Sequence, residues 1–281
     1  MRCDSHVHIV GPAGLYPQVP ERTYLAGAAS VETLRRLGAP RGITRFVIVQ
    51  PSFYGADNSA TLDALDALKG QGRGVAVIDP KATSPDTLSE FHRRGVRGLR
   101  VNLYSPIRAP GGDTLEAAFA ATADVARAMG WHVQVIAPLP VLLANAGLLA
   151  KATVRVVIDH YGLYGDQRPD CVDGRRLLDV VALPHVWMKL SAPYRHDSGP
   201  LNTRPDREWL AALIAAAPDR SVWGSDWPHA PPHEQQKGAT LEAPYRALSY
   251  ETLVDEFIAA LPSQRLAEPI MADSAAVLYG F

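Results

Sequence analysis

The stretch RCDSHVHIV, Arg2 to Val10, is an apolar run at the start of the chain that carries His6 and His8 two positions apart. Alternate side chains of a strand share a face, so both imidazoles project to the same side, about 7 Å apart along the backbone. Such a pair is suited to bind a metal ion or to donate hydrogen bonds. A surface strand that happens to carry two histidines is the simpler alternative, and the rest of the chain argues against it.

Seven further short apolar runs follow this strand, separated by amphipathic segments that predict helices. The predicted strands are Arg45 to Gln50, Gly74 to Asp79, Gly98 to Asn102, His132 to Ile136, Val154 to Asp159, Val186 to Leu190 and Ser221 to Gly224. The predicted helices include Val31 to Leu37, Asn58 to Lys69, Thr114 to Met129 and Trp209 to Ala217, several of them preceded by Asp, Ser or Thr as N-caps. Eight strand-helix units predict an α/β fold, a closed TIM-like (β/α)₈ barrel. We expect one barrel domain over residues 1–281, with a long loop from Ala230 to Tyr245.

Composition narrows the function classes. A hydrophobic content of 47% supports a large core, and a net charge of −1 without a basic block argues against nucleic-acid binding. The two cysteines form no CxxC pair, and apolar stretches are interrupted too early to span a membrane. We therefore expect a cytoplasmic protein with a small-molecule partner and neither nucleic-acid nor membrane partners. The sequence does not predict the oligomeric state.

Polar residues cluster where the predicted strands end, and in a barrel of this type the active site is built there. These residues are His6 and His8 after strand 1, Arg100 and Asn102 on strand 4, Asp159 and His160 after strand 6, Lys189 and Arg195 on and after strand 7, and Asp226 and His229 after strand 8. Asp226 alone is compatible with a helix cap beside Pro228. Three histidines and an aspartate at one end of a barrel predict a functional site instead.

Three motifs carry a resemblance to a known family: DSHVH at residues 4–8, VIDH at residues 157–160 and VWGSDWPH at residues 222–229. Together they resemble the amidohydrolase superfamily, amidohydrolase-2 branch. Within that branch the chain is most similar to the group of 2-pyrone-4,6-dicarboxylate lactonases and related sugar lactonases. The similarity runs over residues 3–233.

The resemblance implies a hydrolase that opens the ring ester of a lactone. Asp226 would be the general base that deprotonates the attacking water, and it would then protonate the departing ring oxygen. His6, His8 and His160 would stabilise the charge that grows on the carbonyl oxygen, directly or through a bound metal. The alternatives are a zinc-dependent decarboxylase or hydratase of the same branch, which would use the same four residues, and a non-catalytic metabolite-binding barrel.

The metal requirement depends on strand 5. Zinc-binding members of the superfamily usually add a histidine from that strand, whereas here His132 lies at its start and Gln134 is a poor zinc ligand. Lys189 lies on strand 7, where it cannot bridge two metals as a carboxylated lysine. We therefore expect no essential cofactor. Zinc or another divalent metal at partial occupancy is the alternative, held by His6, His8, His160 and Asp226.

Substrate recognition is expected from the loops at the same end. Arg100 and Arg195 can each hold a carboxylate through paired hydrogen bonds, and Lys189 can add a point charge. Hydroxyl or carbonyl groups would be bound by Tyr24, Ser52, Asn102 and Tyr104.

The chain departs from the pyrone-dicarboxylate group at three positions where that group has cationic or phenolic residues. These positions hold Pro106, Ile136 and Leu163, and Arg108 can replace one missing cation. A substrate with two carboxylates would find fewer partners here, so we predict a carboxylate- or hydroxyl-bearing lactone without naming it.

Overall fold

Eight parallel strands form the centre of the fold, and each pairs with the next along the chain. The computed structural model describes residues 1–105, 107, 114–196, 199, 201–231 and 240–281. We number the strands β1 (Arg2–Val7), β2 (Ile43–Val49), β3 (Gly72–Ala76), β4 (Val96–Asn102), β5 (His132–Ile136), β6 (Val156–Ile158), β7 (Val186–Ser191) and β8 (Ser221–Gly224).

The sheet closes where β8 meets β1. Val7 forms a parallel bridge with Trp227, the Asp226 N–H donates to the His6 carbonyl at 2.8 Å, and the His8 N–H donates to the Trp227 carbonyl at 2.8 Å. A Cβ atom on Gly224 would lie 2.7 Å from Cβ of His6, so this close approach requires glycine. The predicted (β/α)₈ barrel is confirmed, and its closure holds two predicted site residues, His6 and Asp226, side by side.

Helices alternate with the strands, and several begin directly after an Asp, Ser or Thr that caps them. They are α1 (Val31–Gly38), α2 (Ser59–Ala67), α3 (Pro85–Arg93), α4 (Leu115–Met129), α5 (Leu139–Ala144), α6 (Ala146–Ala150), α7 (Val172–Val181), α8 (Arg207–Ala216), α9 (Tyr250–Ala260) and α10 (Ser274–Tyr279). N-cap side chains accept a backbone N–H at Ser30, Ser84, Thr114, Asp206 and Ser249. No helix of the described residues is long and apolar enough to cross a membrane.

Strand β1 is shorter than predicted, because Val10 pairs with Ala29 in an antiparallel bridge instead of continuing the barrel. Its pairing with β2 is irregular between Asp4 and Val7. Such an irregularity re-aims side chains along a strand. Cys3 therefore packs in the barrel floor, whereas His6 and His8 both face the barrel mouth.

The opposite end of the barrel is covered by α10. Its residues Ala275, Leu278 and Tyr279 join the buried cluster that contains Cys3 and Val157. Residues of the predicted long loop are described at 230–231 and 240–245, where Glu242–Ala243 pairs with Leu25–Ala26, and the rest of that loop lies outside the described residues.

Candidate active site

The structure brings His6, His8, His160 and Asp226 together at the carboxyl end of the barrel. Oδ1 of Asp226 lies 3.5 Å from Nε2 of His6, 3.4 Å from Nε2 of His8 and 4.0 Å from Nε2 of His160. All four residues are buried, and His8 is the most accessible at 8% exposure. Residues from β1, β6 and β8 that are far apart in sequence thus surround one small space.

Two of the three imidazoles, those of His8 and His160, have a hydrogen-bond partner on Nδ1. Nδ1 of His8 lies 2.7 Å from the carbonyl of Val49, and Nδ1 of His160 lies 2.8 Å from Oγ of Ser191. A carbonyl oxygen can only accept, so Nδ1 of His8 carries a proton and donates it to that carbonyl. Burial lowers the pKa of His160 to about 4.

The atoms at the centre have unused hydrogen-bonding capacity. Within the described residues, neither Nε2 of His6 nor Oδ1 of Asp226 has a hydrogen-bond partner, although both are buried. Buried polar atoms are normally paired, so the space between them is suited to a water molecule, a substrate oxygen or a cation. The sequence predicted these four residues but not this geometry.

The second oxygen of Asp226 is fully engaged. Oδ2 accepts hydrogen bonds from Nε of Arg195 at 2.9 Å, Nη2 of Arg195 at 2.7 Å and the Tyr194 hydroxyl at 2.7 Å. Burial alone would raise the pKa of Asp226, but Arg195 and the histidines outweigh it and hold that pKa well below its usual value. Sequence reasoning missed Tyr194, and its position directly before Arg195 after β7 was the available signal.

A cavity opens beside this centre, and six of the seven predicted substrate contacts line it. They are Tyr24, Ser52, Arg100, Asn102, Tyr104 and Arg195, joined by His8, Phe53, Ile136 and Pro231 among others. Two donors of Arg195 are already bonded to Asp226, so it offers a substrate less than an unpaired guanidinium would. The side-chain oxygen of Asn102 accepts from the backbone N–H of Tyr104 and Ser105, each at 3.0 Å, which shapes the loop.

Arg100 is the cationic group with capacity to spare in this cavity. Its side chain is buried, Nη1 donates to the Gln50 carbonyl at 3.0 Å, and Nη2 lies 3.9 Å from Oδ2 of Asp159. Its Nε has no hydrogen-bond partner among the described residues. A substrate carboxylate or carbonyl can supply the missing acceptor.

Lys189 does not reach the cavity, which corrects its predicted role as a substrate contact. Its side chain is completely buried, with Nζ 2.6 Å from Oε1 of Gln134 and 3.4 Å from Oδ1 of Asp159. Gln134 in turn donates to Oδ2 of Asp159 at 2.9 Å, and Oδ1 of Asp159 lies 3.4 Å from Nδ1 of His6. We therefore assign Lys189 and Gln134 to a buried network that supports Asp159 behind His6. Polar residues on otherwise apolar strands were the signal for this network.

Backbone strain is concentrated at the same end of the barrel. Non-glycine residues with φ between 50° and 69° follow β6, β7 and β8: His160, Tyr161, Leu163, Ala192, Asp226 and His229. Each costs on the order of 1–3 kcal/mol and persists only where its surroundings hold it in place. Residues 227–231, which directly follow Asp226, form no helix, so Asp226 is not the cap of a helix that opens at Pro228.

The structure describes two of the three positions at which the chain departs from the pyrone-dicarboxylate group. Ile136 forms an apolar part of the cavity wall, so no cation or phenol stands there. Leu163 is partly exposed and adopts a positive φ. Pro106 and Arg108 lie outside the described residues.

Comparisons with known proteins agree on one family. The amidohydrolase family model matches residues 3–281. The chain is 31% identical over 227 residues to 4-sulfomuconolactone hydrolase of Hydrogenophaga intermedia, covering 80% of this chain and 74% of that one. It is 31% identical over 243 residues to 2-pyrone-4,6-dicarboxylate hydrolase of Comamonas testosteroni, covering 80% and 76%. A crystal structure from Pseudomonas putida that carries the name 2-pyrone-4,6-dicarboxylic acid hydrolase superposes with a TM-score of 0.78 at 29% identity, covering 99% of this chain and 97% of that one.

Proposed function

This chain belongs to the amidohydrolase family, and we propose that it is a lactonase, a hydrolase that opens the ring ester of a lactone bearing a carboxylate or hydroxyl group. One observation carries the proposal. Oδ1 of Asp226 is buried and has no hydrogen-bond partner in the described part of the chain, and it faces three imidazole Nε2 atoms at 3.4–4.0 Å, beside a cavity that contains Arg100. The two hydrolases that the chain resembles at 31% identity are named for lactones.

In this mechanism Asp226 is the general base. Its Oδ1 accepts a proton from a water molecule, and the oxygen of that water attacks the lactone carbonyl carbon. Arg195 and Tyr194 hold Oδ2, which leaves Oδ1 directed at the water. The carboxylate is a weak base at its lowered pKa, so close positioning rather than basicity supplies its advantage.

The histidines stand where the carbonyl oxygen develops negative charge. After the attack, the tetrahedral intermediate collapses, the bond from the carbonyl carbon to the ring oxygen breaks, and protonated Asp226 returns its proton to that oxygen. The product is an open-chain carboxylic acid with a new hydroxyl, or its keto form, and the acid then releases its proton to solvent and becomes a carboxylate. Arg100 would bind a carboxylate or carbonyl of the substrate, and Tyr24, Ser52 and Tyr104 would bind its remaining polar groups.

Three of these residues, His6, His8 and Asp226, are placed to hold a divalent metal ion. A tetrahedral zinc ion with bonds of about 2.1 Å separates its ligands by about 3.4 Å, close to the spacing of Oδ1 of Asp226 from Nε2 of His6 and His8. Such an ion would polarise the carbonyl and acidify a bound water. We propose that the reaction does not require it, because Arg195 already neutralises Asp226 and β5 offers Gln134 instead of a histidine.

The test is hydrolysis of a lactone panel that spans pyrone dicarboxylates, muconolactones and sugar-acid lactones, with metal content measured on the same sample. We expect turnover that a chelator does not change and that Asp226→Asn abolishes. Asp79→Asn, in the loop between β3 and α3, is the matched control. Loss of turnover on chelation with recovery on adding zinc would overturn the metal-independent mechanism. No hydrolysis of any lactone would overturn the lactonase assignment itself.

A further inference from the structure

A second polar cavity lies at the opposite end of the barrel from the candidate active site. It is a groove of ≈ 410 Å³ at the amino ends of β4, β5 and β6, bordered by the end of α10. Three arginines line it: Arg97 on β4, Arg127 in the last turn of α4 and Arg155 immediately before β6. We call it the floor groove.

The positive charge of the floor groove is only partly balanced by acidic groups. None of the described residues that line it is aspartate or glutamate. Arg127 pairs with Asp124 on its own helix, an exposed contact that is worth little. Across the part of the chain that the structure describes, Arg97 and Arg155 have no ion-pair partner, and their bonds go to backbone carbonyls.

Neighbouring strands add more positive charge. Arg73 on β3 and Arg45 on β2 lie beside the groove, and Arg73 donates to the carbonyls of Tyr279 and Gly280. Burial lowers the pKa of Arg73, and repulsion from Arg97 and Arg45 lowers it further. Like charges that outnumber their counter-charges disfavour the folded state, and a bound anion relieves this repulsion.

The inner wall of the groove presents a buried polar group. His132 is 2% exposed, and neither of its ring nitrogens has a well-formed hydrogen bond among the described residues. The backbone carbonyl of Arg97 is a polar group beside the ring. Its ring fits there only because β4 has Gly98, where a Cβ atom would lie 2.3 Å from Nε2. A ligand in the groove would therefore meet guanidinium groups with an imidazole behind them.

We propose that the floor groove binds a small oxyanion with two or more negative charges, of the phosphate or dicarboxylate type. Guanidinium groups match such oxygens through paired, charge-assisted hydrogen bonds, and Arg97 and Arg155 have N–H groups left for them. The bound anion would link β4, the end of α4 and the segment that precedes β6, which are separate in sequence. The proposal is independent of the lactonase assignment, because the groove and the candidate active site lie at opposite ends of the barrel.

The test is calorimetric titration of the full chain with inorganic phosphate at constant ionic strength, repeated with sulfate and malonate. We expect one saturable site per chain with a Kd below about 1 mM, and a Tm that rises with phosphate concentration. Preference for phosphate or for malonate would identify which source of oxyanion the groove takes. The Arg155→Gln and Arg97→Gln variants should each weaken binding at least about tenfold without changing lactone turnover.

Two control variants separate this site from the alternatives. Arg100→Gln removes the anion-binding group of the candidate active site, and Arg36→Gln removes an exposed charge on α1, so both should bind phosphate as the unmodified chain does. Binding that is lost in Arg100→Gln but kept in Arg155→Gln would overturn the proposal. Absence of saturable binding of all three anions would also overturn it. Arg155 is exposed, so the Arg155→Gln variant should fold.

Discussion

Lys189→Met should destabilise the barrel, because it leaves the carboxylate of Asp159 buried without its ammonium partner. Both side chains are completely buried, with Nζ of Lys189 3.4 Å from Oδ1 of Asp159. Removing one partner of a buried ion pair costs about 3–5 kcal/mol. The Gln134 amide at 2.9 Å and the Arg100 guanidinium at 3.9 Å still face Oδ2, so we expect the lower end, about 3 kcal/mol.

The size of the chain converts this loss into a melting temperature. An unfolding entropy of about 2.1 cal/mol/K per residue amounts to about 0.6 kcal/mol/K here, so a loss of 3 kcal/mol lowers Tm by about 5 °C. Urea denaturation and thermal unfolding at pH 7 both measure the change. Lys151→Met, at an exposed position after α6, is the matched control and should shift Tm by less than about 1 °C.

A second substitution tests the cause. Asp159→Asn in the Lys189→Met background removes the unpaired charge while it keeps the size of the side chain. We expect the double variant to recover at least about 1.5 kcal/mol relative to Lys189→Met, since contacting charges are strongly coupled. Additive effects of the two substitutions, or a Lys189→Met loss within about 1 kcal/mol of zero, would refute the buried-network assignment.

Three further outcomes follow from the site. Asp226→Asn should lower kcat on a hydrolysed lactone by about 10²- to 10⁴-fold, measured by steady-state kinetics, and should also lower Tm because it leaves the buried Arg195 without its carboxylate partner. Arg100→Gln should raise KM for a carboxylated lactone by about 10- to 100-fold and change kcat less, because a charged hydrogen bond worth about 1.5–3 kcal/mol is lost. Stability should fall as the pH drops from about 6.5 towards 4. Histidines of the unfolded chain take up protons near pH 6.5. In the folded chain burial lowers the pKa of His160 to about 4 and that of His132 to about 3, so protons bind preferentially to the unfolded state over this range. Urea titrations across that pH range measure this loss, and His132→Gln should reduce it.

Each outcome has a result that would contradict it. Turnover of Asp226→Asn within tenfold of the unmodified chain would exclude Asp226 as the base. An unchanged KM in Arg100→Gln, with binding of uncharged lactones as the comparison, would exclude Arg100 from carboxylate recognition. Stability that is constant between pH 6.5 and 4 would mean that the buried histidines titrate as they do in the unfolded chain.

Much of the barrel could be predicted, because its signals are local. Strand and helix periods, capping residues and the order of the units depend on residues close in sequence, and they located β2 to β8 within a few residues. The end of β1 was predicted too late, since the pairing of Val10 with Ala29 is a tertiary contact. Lys189 was misassigned for the same reason: a lysine near a strand end gives no sign of whether its amine points to the cavity or into the barrel.

The sequence by itself determined the family, the barrel and the identity of the four central residues, because His6, His8, His160 and Asp226 occur in motifs tied to the ends of strands. Only the tertiary structure decided which atoms of these residues face one another. It directed one oxygen of Asp226 to the histidines and the other to Arg195 and Tyr194. It also placed no acidic side chain among the described residues that line the floor groove. The physical reason is that hydrogen-bond direction and charge balance depend on distances between residues that the chain brings together only when the barrel closes.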